Sequence, residues 1–507
     1  MNYPKAPYRT LSSYVIIHSR GTSFQTGNRG FYLFTIRGKV TLAPFCLTLT
    51  IPVMKHRINH FHKIMIIALI HLLNSCDAFL DPRPDRNVVV PETLEDIRAL
   101  LDNTVVFNLQ PGLPTIATDE FYTTDEGWEA LSNPAEQATY LWGGDPYQGG
   151  VTNVWTGPYE QVFYANVALQ ALQELGGEKV NEYYELMGTA HFHKAYAYSQ
   201  LLQVFTALHR PDGSNEDALG IVLRAGPDVQ VTPRRASLAR SFNALLDDLQ
   251  MAMEYLPEQS SIASRPTKAA AYGLQARVAM MMQDYSLARE AASEVLGRHT
   301  VPLDFNTLDM TASRPFEDFN EEVVFYAHLQ NYSFMNANLT FVDPGLMGSY
   351  GEGDLRKQLY YTLTEEGDYQ FTGKLTGNSR FFGGISVGEM LLVAAEASYR
   401  TGDGSRAKTY LEQLMENRYE KGKAPSLEGV DDENLLVFIL DERRKELVGR
   451  GLRWFDLRRL NQDPITAKTL QRTLEGQEFI LEPKSEKYIF PIPPEEIRES
   501  GIEQNPR

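Results

Sequence analysis

The sequence predicts a mainly α-helical protein with a tetratricopeptide-like scaffold of helix pairs, long irregular loops and a few short strands. Two observations predict this class. Alanine-rich segments with helical spacing occur in pairs joined by short turns, and the segments between them are rich in Gly, Pro and aromatic residues. Hydrophobic residues make up 43% and charged residues 22% of the 507 positions, which is ordinary for a soluble protein with a real core.

The individual helices are indicated by apolar residues at helical spacing from about residue 90 onward. Pro91-Glu92-Thr93 precedes the first of them with residues typical of a helix N-terminus. Further helical patterns cover residues 155–175, 183–205 and 240–256. A loop region rich in Gly, Pro and aromatic residues is predicted between about 108 and 152.

The clearest helix pair is predicted at 267–282 and 285–296, with a two-residue turn between them. A second pair is predicted at 388–400 and 405–418. Small residues that let two helices approach closely, joined by a short turn, are typical of a tetratricopeptide unit. The copies lie too far apart for a regular array, and residues 300–386 between them predict loops and a few short strands.

Charge separates the first 76 residues from the rest of the chain. No Asp or Glu precedes Asp77, whereas nine Lys and Arg residues do, so the remainder carries 39 basic and 65 acidic side chains, a formal charge of −26. A chain this acidic, without a basic stripe, would repel nucleic-acid phosphates. We therefore expect no nucleic-acid partner.

Residues 54–75 have the pattern of a lipoprotein signal peptide. A positively charged start is followed by an apolar run over 64–73, which is too short to span a bilayer. The run ends at Leu73-Asn74-Ser75-Cys76, which resembles a lipobox, so we expect cleavage before Cys76 and a lipid on its thiol. The alternative is a buried apolar helix that ends in a chance cysteine.

Residues 1–53 lie upstream of this signal peptide and show no clear period. They are interpreted as a start-site artefact, with translation beginning at Met54, or else as a genuine N-terminal extension. The mature protein would then be a single domain over 76–507. Its only cysteine would be Cys76, which excludes an intrachain disulfide.

Several segments share a resemblance that extends from Cys76 to Arg507. They are Cys76-Asp77-Ala78-Phe79-Leu80-Asp81, 155–169, 188–196, Glu442-Arg443-Arg444-Lys445-Glu446-Leu447, Gly451-Leu452-Arg453-Trp454-Phe455-Asp456-Leu457-Arg458-Arg459, and the ending from Phe490-Pro491-Ile492-Pro493 to Gln504-Asn505-Pro506. In this order they resemble the SusD/RagB family of outer-membrane nutrient-binding lipoproteins. One departure is Lys194, which stands where Arg is common in the family.

The resemblance implies a non-catalytic protein without a cofactor, anchored in the outer membrane by the lipid on Cys76 and facing the cell exterior. It also implies a partner, a TonB-dependent transporter of the SusC type, to which the protein would deliver glycan or sometimes peptide. Two alternatives remain, a surface glycoside hydrolase and a structural lid of the transporter without a ligand of its own.

The candidate glycan-binding residues lie in the irregular region before the first helix pair. They are Trp128, Tyr140, Trp142, Asp145 and Tyr147. Flat aromatic faces match the apolar faces of pyranose rings, carboxylates fix hydroxyl groups, and loops on a rigid scaffold often carry binding residues. The alternative is that these aromatic residues pin a long loop or face the transporter.

A second group of residues is predicted to be structural rather than ligand-binding. Its members are Arg443, Glu446, Arg453, Trp454 and Asp456. Their helical spacing permits ion pairs with neighbours and places Trp454 on a face with other apolar side chains. We expect an Arg/Glu network with a buried Trp that holds the C-terminal half together.

Two residue pairs imitate active sites. His191 and His193 are two positions apart, so on a helix they point in different directions and are poor joint metal ligands. Glu389 and Glu396 share a helical face, but a glycosidase places its two carboxylates across a cleft. We expect neither a metal site nor a catalytic pair.

Overall fold

The helices form where the sequence combines an apolar face with capping residues. The computed structural model describes residues 91–147, 152–176 and 179–506. The predicted signal peptide, Cys76 and residues 1–53 lie outside the described residues, so the predicted domain boundaries stay predictions. The helices of the described residues are α1 (Leu94–Leu101), α2 (Thr104–Phe107), α3 (Leu113–Ile116), α4 (Asp125–Glu129), α5 (Pro134–Tyr140), α6 (Asn153–Glu174), α7 (Asn181–Phe205), α8 (Leu238–Tyr255), α9 (Lys268–Met282), α10 (Tyr285–Arg298), α11 (Pro344–Ser349), α12 (Arg356–Tyr360), α13 (Val387–Arg400), α14 (Gly404–Met415), α15 (Asp432–Glu446), α16 (Arg453–Leu460) and α17 (Pro494–Ser500).

The strands are short and pair in twos. They are β1 (Leu109–Gln110), β2 (Phe121–Thr123), β3 (Leu219–Val222), β4 (Arg235–Ser237), β5 (Val323–Phe325), β6 (His328–Leu329), β7 (Thr340–Val342), β8 (Tyr361–Leu363), β9 (Tyr369–Phe371), β10 (Ile385–Ser386), β11 (Leu470–Leu474) and β12 (Gln477–Leu481). The pairs are the parallel β1–β6 and the antiparallel β2–β7, β3–β4, β5–β10, β8–β9 and β11–β12. The short strands predicted between 300 and 386 are therefore present.

The helix pairs occur as predicted. Gln283 adopts a left-handed conformation (φ 60°) that ends α9, and the Asp284 carboxylate accepts a hydrogen bond from the Leu287 N–H at 3.0 Å, which begins α10. Buried alanines on both helices, among them Ala276 and Ala291, allow the close approach. The long helices pack in succession from α6 through α10 and on to α13 and α14. The predicted fold class is confirmed.

The region from 108 to 152 is more regular than predicted, because it contains α3, α4 and α5 as well as β1 and β2. Side chains cap two of these short helices. The Thr124 hydroxyl accepts from the Gly127 N–H, and the Asn133 side chain accepts from the Ala135 N–H. Asn133-Pro134 is a helix-start signal, but the Gly and aromatic residues around it favoured a loop.

A network of buried charges joins the C-terminal helices to the strands. The Arg356 guanidinium lies 2.8 Å from Asp354 and 2.7 Å from Glu442, and the Arg418 guanidinium lies 2.7 Å from Glu322 and 2.9 Å from Glu446. Arg356 also approaches Glu446 at 3.4 Å, which links the two clusters. These six side chains, which we call the ion network, are almost completely shielded from solvent. They connect residues that are far apart in sequence.

The charged forms of Glu322 and Arg418 are favoured in the folded state. Burial acts to raise the pKa of Glu322, but Arg418 and Arg450 outweigh it and lower that pKa. Burial acts to lower the pKa of Arg418, but Glu322 and Glu446 raise it. Removing one member leaves an uncompensated buried charge, at a typical cost of about 3–5 kcal/mol.

The residues that the sequence predicted to be structural form ion pairs or pack in the core. Glu446 belongs to it, Arg443 lies 2.8 Å from Asp456, and Arg453 lies 2.7 Å from Asp119. Trp454 is 1% exposed and packs against Tyr488 and Phe490. This is the geometry of a structural cluster, and no face of Trp454 is open to a ligand.

Gly388 gives a direct test of the network. A Cβ atom at Gly388 would lie 2.7 Å from carboxylate oxygens of both Glu322 and Glu446. Although Ala normally favours a helix over Gly, we expect Gly388→Ala to lower the free energy of unfolding by about 1–3 kcal/mol, because the ion pairs must shift. Chemical denaturation measures the change.

Gly297→Ala is the matched control. Gly297 also lies in a helix, and a Cβ there would meet nothing within 4 Å. We expect this variant to be as stable as the parent or more stable by up to about 1 kcal/mol. Equal stability of the two variants would contradict the role assigned to the network.

Glu120 is a buried carboxyl group without a direct ion pair in the described residues. It is 1% exposed. Its carboxyl group accepts hydrogen bonds from the Thr118 hydroxyl and from the Gly449 N–H, the latter at 3.3 Å. Burial raises its pKa to about 8, with Asp119 adding to the effect and Arg453 opposing it. In the unfolded chain this carboxyl would titrate near its ordinary value of 4.5.

A pH dependence of stability follows from Glu120. Between about pH 4.5 and 8 the folded state holds a proton that the unfolded state releases, so the free energy of unfolding falls as the pH rises. In Glu120→Gln the free energy of unfolding should decrease less between pH 5 and 8.5. Denaturant titrations at both pH values measure this decrease. The exposed Glu129→Gln serves as control and should keep the parent's dependence. An unchanged slope in Glu120→Gln would show that Glu120 titrates normally.

Candidate functional site

The aromatic residues predicted to stack on sugar are mostly buried. Tyr140, Trp142 and Tyr147 are 2%, 2% and 1% exposed. The Trp142 indole N–H donates to the Ala117 carbonyl at 2.9 Å, and the Tyr147 hydroxyl donates to the Pro491 carbonyl at 2.7 Å. These bonds fix the segment before α6 to the rest of the fold.

An arginine lies against the rings of Tyr140 and Trp142. The guanidinium carbon of Arg472, on β11, lies 3.8 Å from the Tyr140 ring centroid and 4.6 Å from that of Trp142. Its N–H groups also donate to the Ile116 and Thr118 carbonyls. Through these cation–π contacts Tyr140 and Trp142 pin the loop, and a glycan contact at either residue stays a prediction.

The other two predicted residues lie nearer the surface. Trp128 is half-buried, and its indole N–H donates to the Gln137 carbonyl at 3.1 Å. Asp145 is exposed and accepts from the Tyr147 N–H at 3.0 Å. A ligand contact at Trp128 and Asp145 stays a prediction.

Trp142→Ala distinguishes a packing role of Trp142 from a ligand-binding role. Truncating a fully buried Trp should lower the free energy of unfolding by about 3–5 kcal/mol, which denaturant titration measures. Trp128→Ala should cost less, because Trp128 is half-buried. A Trp142→Ala variant that keeps the parent's stability yet fails to bind a ligand would restore the stacking role.

The two residue pairs that imitate active sites form contacts with other residues. The first pair is Glu389 and Glu396. Glu389 lies 2.6 Å from Arg277. Burial acts to raise the pKa of Glu396, but Arg459, at 2.6 Å, and Arg400 lower it to about 2. Glu396 is therefore not available as a proton donor at neutral pH, and Glu389 is held in an ion pair.

The two histidines also face different partners. His191 lies 2.7 Å from Asp248. His193 stacks on Phe107, and burial lowers its pKa to about 3. Within the described residues, no group of three or more His, Cys, Asp or Glu side chains could hold a metal ion.

The described surface carries a strongly exposed aromatic ring at Phe319. This side chain is 51% exposed, and its backbone is in the left-handed region (φ 56°), which bulky side chains rarely adopt. The Phe319 ring lies 4.6 Å from that of Tyr326, at an interplanar angle of 48°. A strained backbone at an exposed aromatic residue is typical of a functional position.

Polar groups lie close to Tyr326. Burial raises the pKa of Tyr326, and three neighbours act on it as well, Asp318 in the same direction and Asn378 and Arg380 in the opposite one. Asp318 and Arg380 are exposed. We call the set Asp318, Phe319, Tyr326, Asn378 and Arg380 the Phe319 platform. It combines the exposed Phe319 ring, which packs on the buried Tyr326, with hydrogen-bond donors and acceptors.

Phe319 lies in a turn that is held by buried residues on both sides. Phe316, before the turn, packs against Phe305 and Tyr360 at centroid distances of 5.3 and 5.7 Å. Glu322, after it, belongs to the ion network. Gly377 (φ 63°) packs against the turn, and a Cβ there would lie 2.8 Å from the Asp318 nitrogen. The core therefore maintains the strained conformation.

A concave pocket of about 290 Å³ lies beside α6 and is a second candidate. Trp155, Tyr159, Phe163, Arg224 and Asp228 are among its lining residues. Trp155 is buried against Phe205, and the Tyr159 hydroxyl bonds to the Val222 backbone. The rings of Tyr159 and Phe163 are half-buried, whereas the Phe319 ring is 51% exposed.

Sequence reasoning missed the Phe319 platform. The signal was Asp318-Phe319-Asn320, an aromatic residue between two residues that favour turns and tolerate the left-handed region. Tyr326 and Arg380 come together with it only through the tertiary fold. None of the helices in the described residues combines the length and apolar character needed to cross a membrane.

Two family models match the chain. The model described as starch-binding associating with outer membrane matches residues 78–280, and the SusD family model matches residues 384–507. The chain belongs to the SusD/RagB family. SusD-like protein P2 of Formosa agariphila is 23% identical over 88% of this chain and 99% of its own length. The family consists of non-catalytic binding proteins.

Solved structures share the fold. A SusD superfamily protein from Bacteroides vulgatus is 19% identical, with a TM-score of 0.68 over 82% of this chain and 99% of its own. Surface glycan-binding protein A from Bacteroides fluxus is also 19% identical, with a TM-score of 0.62 over 82% of this chain and 100% of its own. At this identity the likeness shows the fold.

Proposed function

We propose that the protein is a non-catalytic, cell-surface carbohydrate-binding subunit that binds glycan at the Phe319 platform. The observation that carries the proposal is the exposed, strained aromatic ring on a scaffold of the SusD fold. A glycan-binding protein among the structures of this fold supports the ligand class.

The chemistry of the platform suits a sugar. The Phe319 ring presents an apolar face to the C–H face of a pyranose, and stacking shields both surfaces from water. Arg380 and Asn378 can donate hydrogen bonds to hydroxyl groups, and Asp318 can accept them. Since the core already holds the ring in place, binding orders few groups, which favours affinity.

The proposal extends to location and partner. Cys76 would carry the lipid that tethers the protein to the outer membrane, facing the cell exterior. A TonB-dependent transporter of the SusC type would receive the bound oligosaccharide. Family membership supports both. Peptide as cargo and a lid without its own ligand are the alternatives that a binding assay distinguishes.

Substitution of Phe319 tests the proposal. Phe319→Gly removes the ring and suits the left-handed backbone, so we expect stability to stay within about 1 kcal/mol of the parent. Affinity for an oligosaccharide chosen from a glycan array should fall at least about tenfold, which corresponds to about 1.4 kcal/mol. Isothermal titration calorimetry measures it.

Two controls accompany this variant. Phe319→Trp keeps an aromatic face and should bind within about threefold of the parent. Ile465→Ala removes an apolar side chain that is 80% exposed elsewhere and should bind normally. Unchanged affinity in Phe319→Gly would exclude the platform, and released reducing ends would establish a hydrolase instead.

A further inference from the structure

We propose that a separate, positively charged pocket beside the C-terminal end of α7 binds an oxyanion, that is, the sulfate, phosphate or carboxylate group of a small ligand. The pocket has a volume of about 430 Å³. We call it the Arg458 pocket. Its charged and imidazole side chains are His209, Arg210, Arg458, Lys484 and Glu486.

Arg458 is a buried cation without a counter-ion. It is 6% exposed, and within the described residues it has neither a carboxylate within ion-pair distance nor an aromatic ring against its guanidinium. Its neighbour Arg459, by contrast, pairs with both Glu396 and Asp456. Burial lowers the pKa of Arg458 to about 10, which reflects the missing compensation.

Backbone carbonyls offset only part of this charge. Arg458 donates to the carbonyls of Gln203 and Thr206, at the end of α7. The C-terminal end of a helix carries about half a negative charge, so a net positive charge remains. An arginine has five N–H donors in a planar fork that matches an oxyanion.

The rim of the pocket adds further positive charge. Arg210 and Lys484 are exposed there and outnumber the single acid, Glu486. The Nδ1 atom of His209 is buried and has no hydrogen-bond partner in the part of the chain that the structure describes. This concentration of cations is unusual in a chain with a formal charge of −26 from Asp77 onward.

Lys484 has a strained backbone conformation. Its φ of 66° lies in the left-handed region, where Gly would be less strained. A charged side chain at such a position is another local conflict that a ligand site can explain. It also provides a substitution that removes the charge without harming the fold.

The test uses thermal unfolding of the purified protein in sodium sulfate, sodium phosphate, glucuronate, glucose 6-sulfate and glucose, at constant ionic strength set with sodium chloride. An anion that binds the folded state raises the Tm in a concentration-dependent way, from which a Kd follows. We expect at least one anion, but not glucose, to bind. A sugar-linked anion that binds more tightly than the free ion identifies an acidic carbohydrate as the ligand, and equal affinities identify the free ion.

Two variants locate the effect. Lys484→Gly should weaken anion binding roughly fivefold or more while the fold is kept or stabilised. Lys487→Ala, the matched control, removes an exposed lysine that does not line the pocket and should leave the Kd unchanged. Arg458→Met should abolish binding, and Lys484→Gly keeps the test decisive where Arg458→Met does not fold.

Two results would overturn the proposal. One is that no anion shifts the Tm beyond the chloride reference, and the other is that Lys484→Gly and Lys487→Ala respond alike. The outcome is separate from that at the Phe319 platform, because Phe319→Gly should keep its anion response whether or not it loses glycan binding.

Discussion

The buried ion network fixes how α15 meets α12 and the segment before β5. Arg356 and Arg418 bring together carboxylates from a loop, from the segment before β5 and from α15, all without contact with solvent. Separating the partners of a buried ion pair is costly, so the network favours one arrangement of these segments. Apolar packing between the alanine-rich helices is less specific, because small residues fit several registers.

The network also connects the scaffold to the candidate binding surface. Glu322 pairs with Arg418 and stands three residues after Phe319, while Phe316 enters the aromatic core three residues before it. A left-handed Phe would relax if either end were loose. The conformation of Phe319 at the surface thus depends on the buried ion pair between Glu322 and Arg418, which helps to hold the strained turn.

The sequence predicted the features that depend on local signals. Gln283-Asp284 marked a helix turn because an Asp cap acts within three residues, and the family motif around Trp454 marked a structural cluster. It could not predict that Arg472 covers the rings of Tyr140 and Trp142, since Arg472 and Tyr140 are 332 positions apart. Phe319 was missed because its exposure and its polar neighbours arise only in the tertiary structure.

Hydrogen–deuterium exchange with and without a bound oligosaccharide would locate the ligand without any substitution. We expect slower exchange in peptides that cover residues 316–328 and 376–382, which carry the Phe319 platform. The peptides of residues 128–147 should exchange at the same rate in both states. Protection confined to residues 128–147, or to the α6 pocket, with no change around Phe319 would exclude glycan binding at the platform.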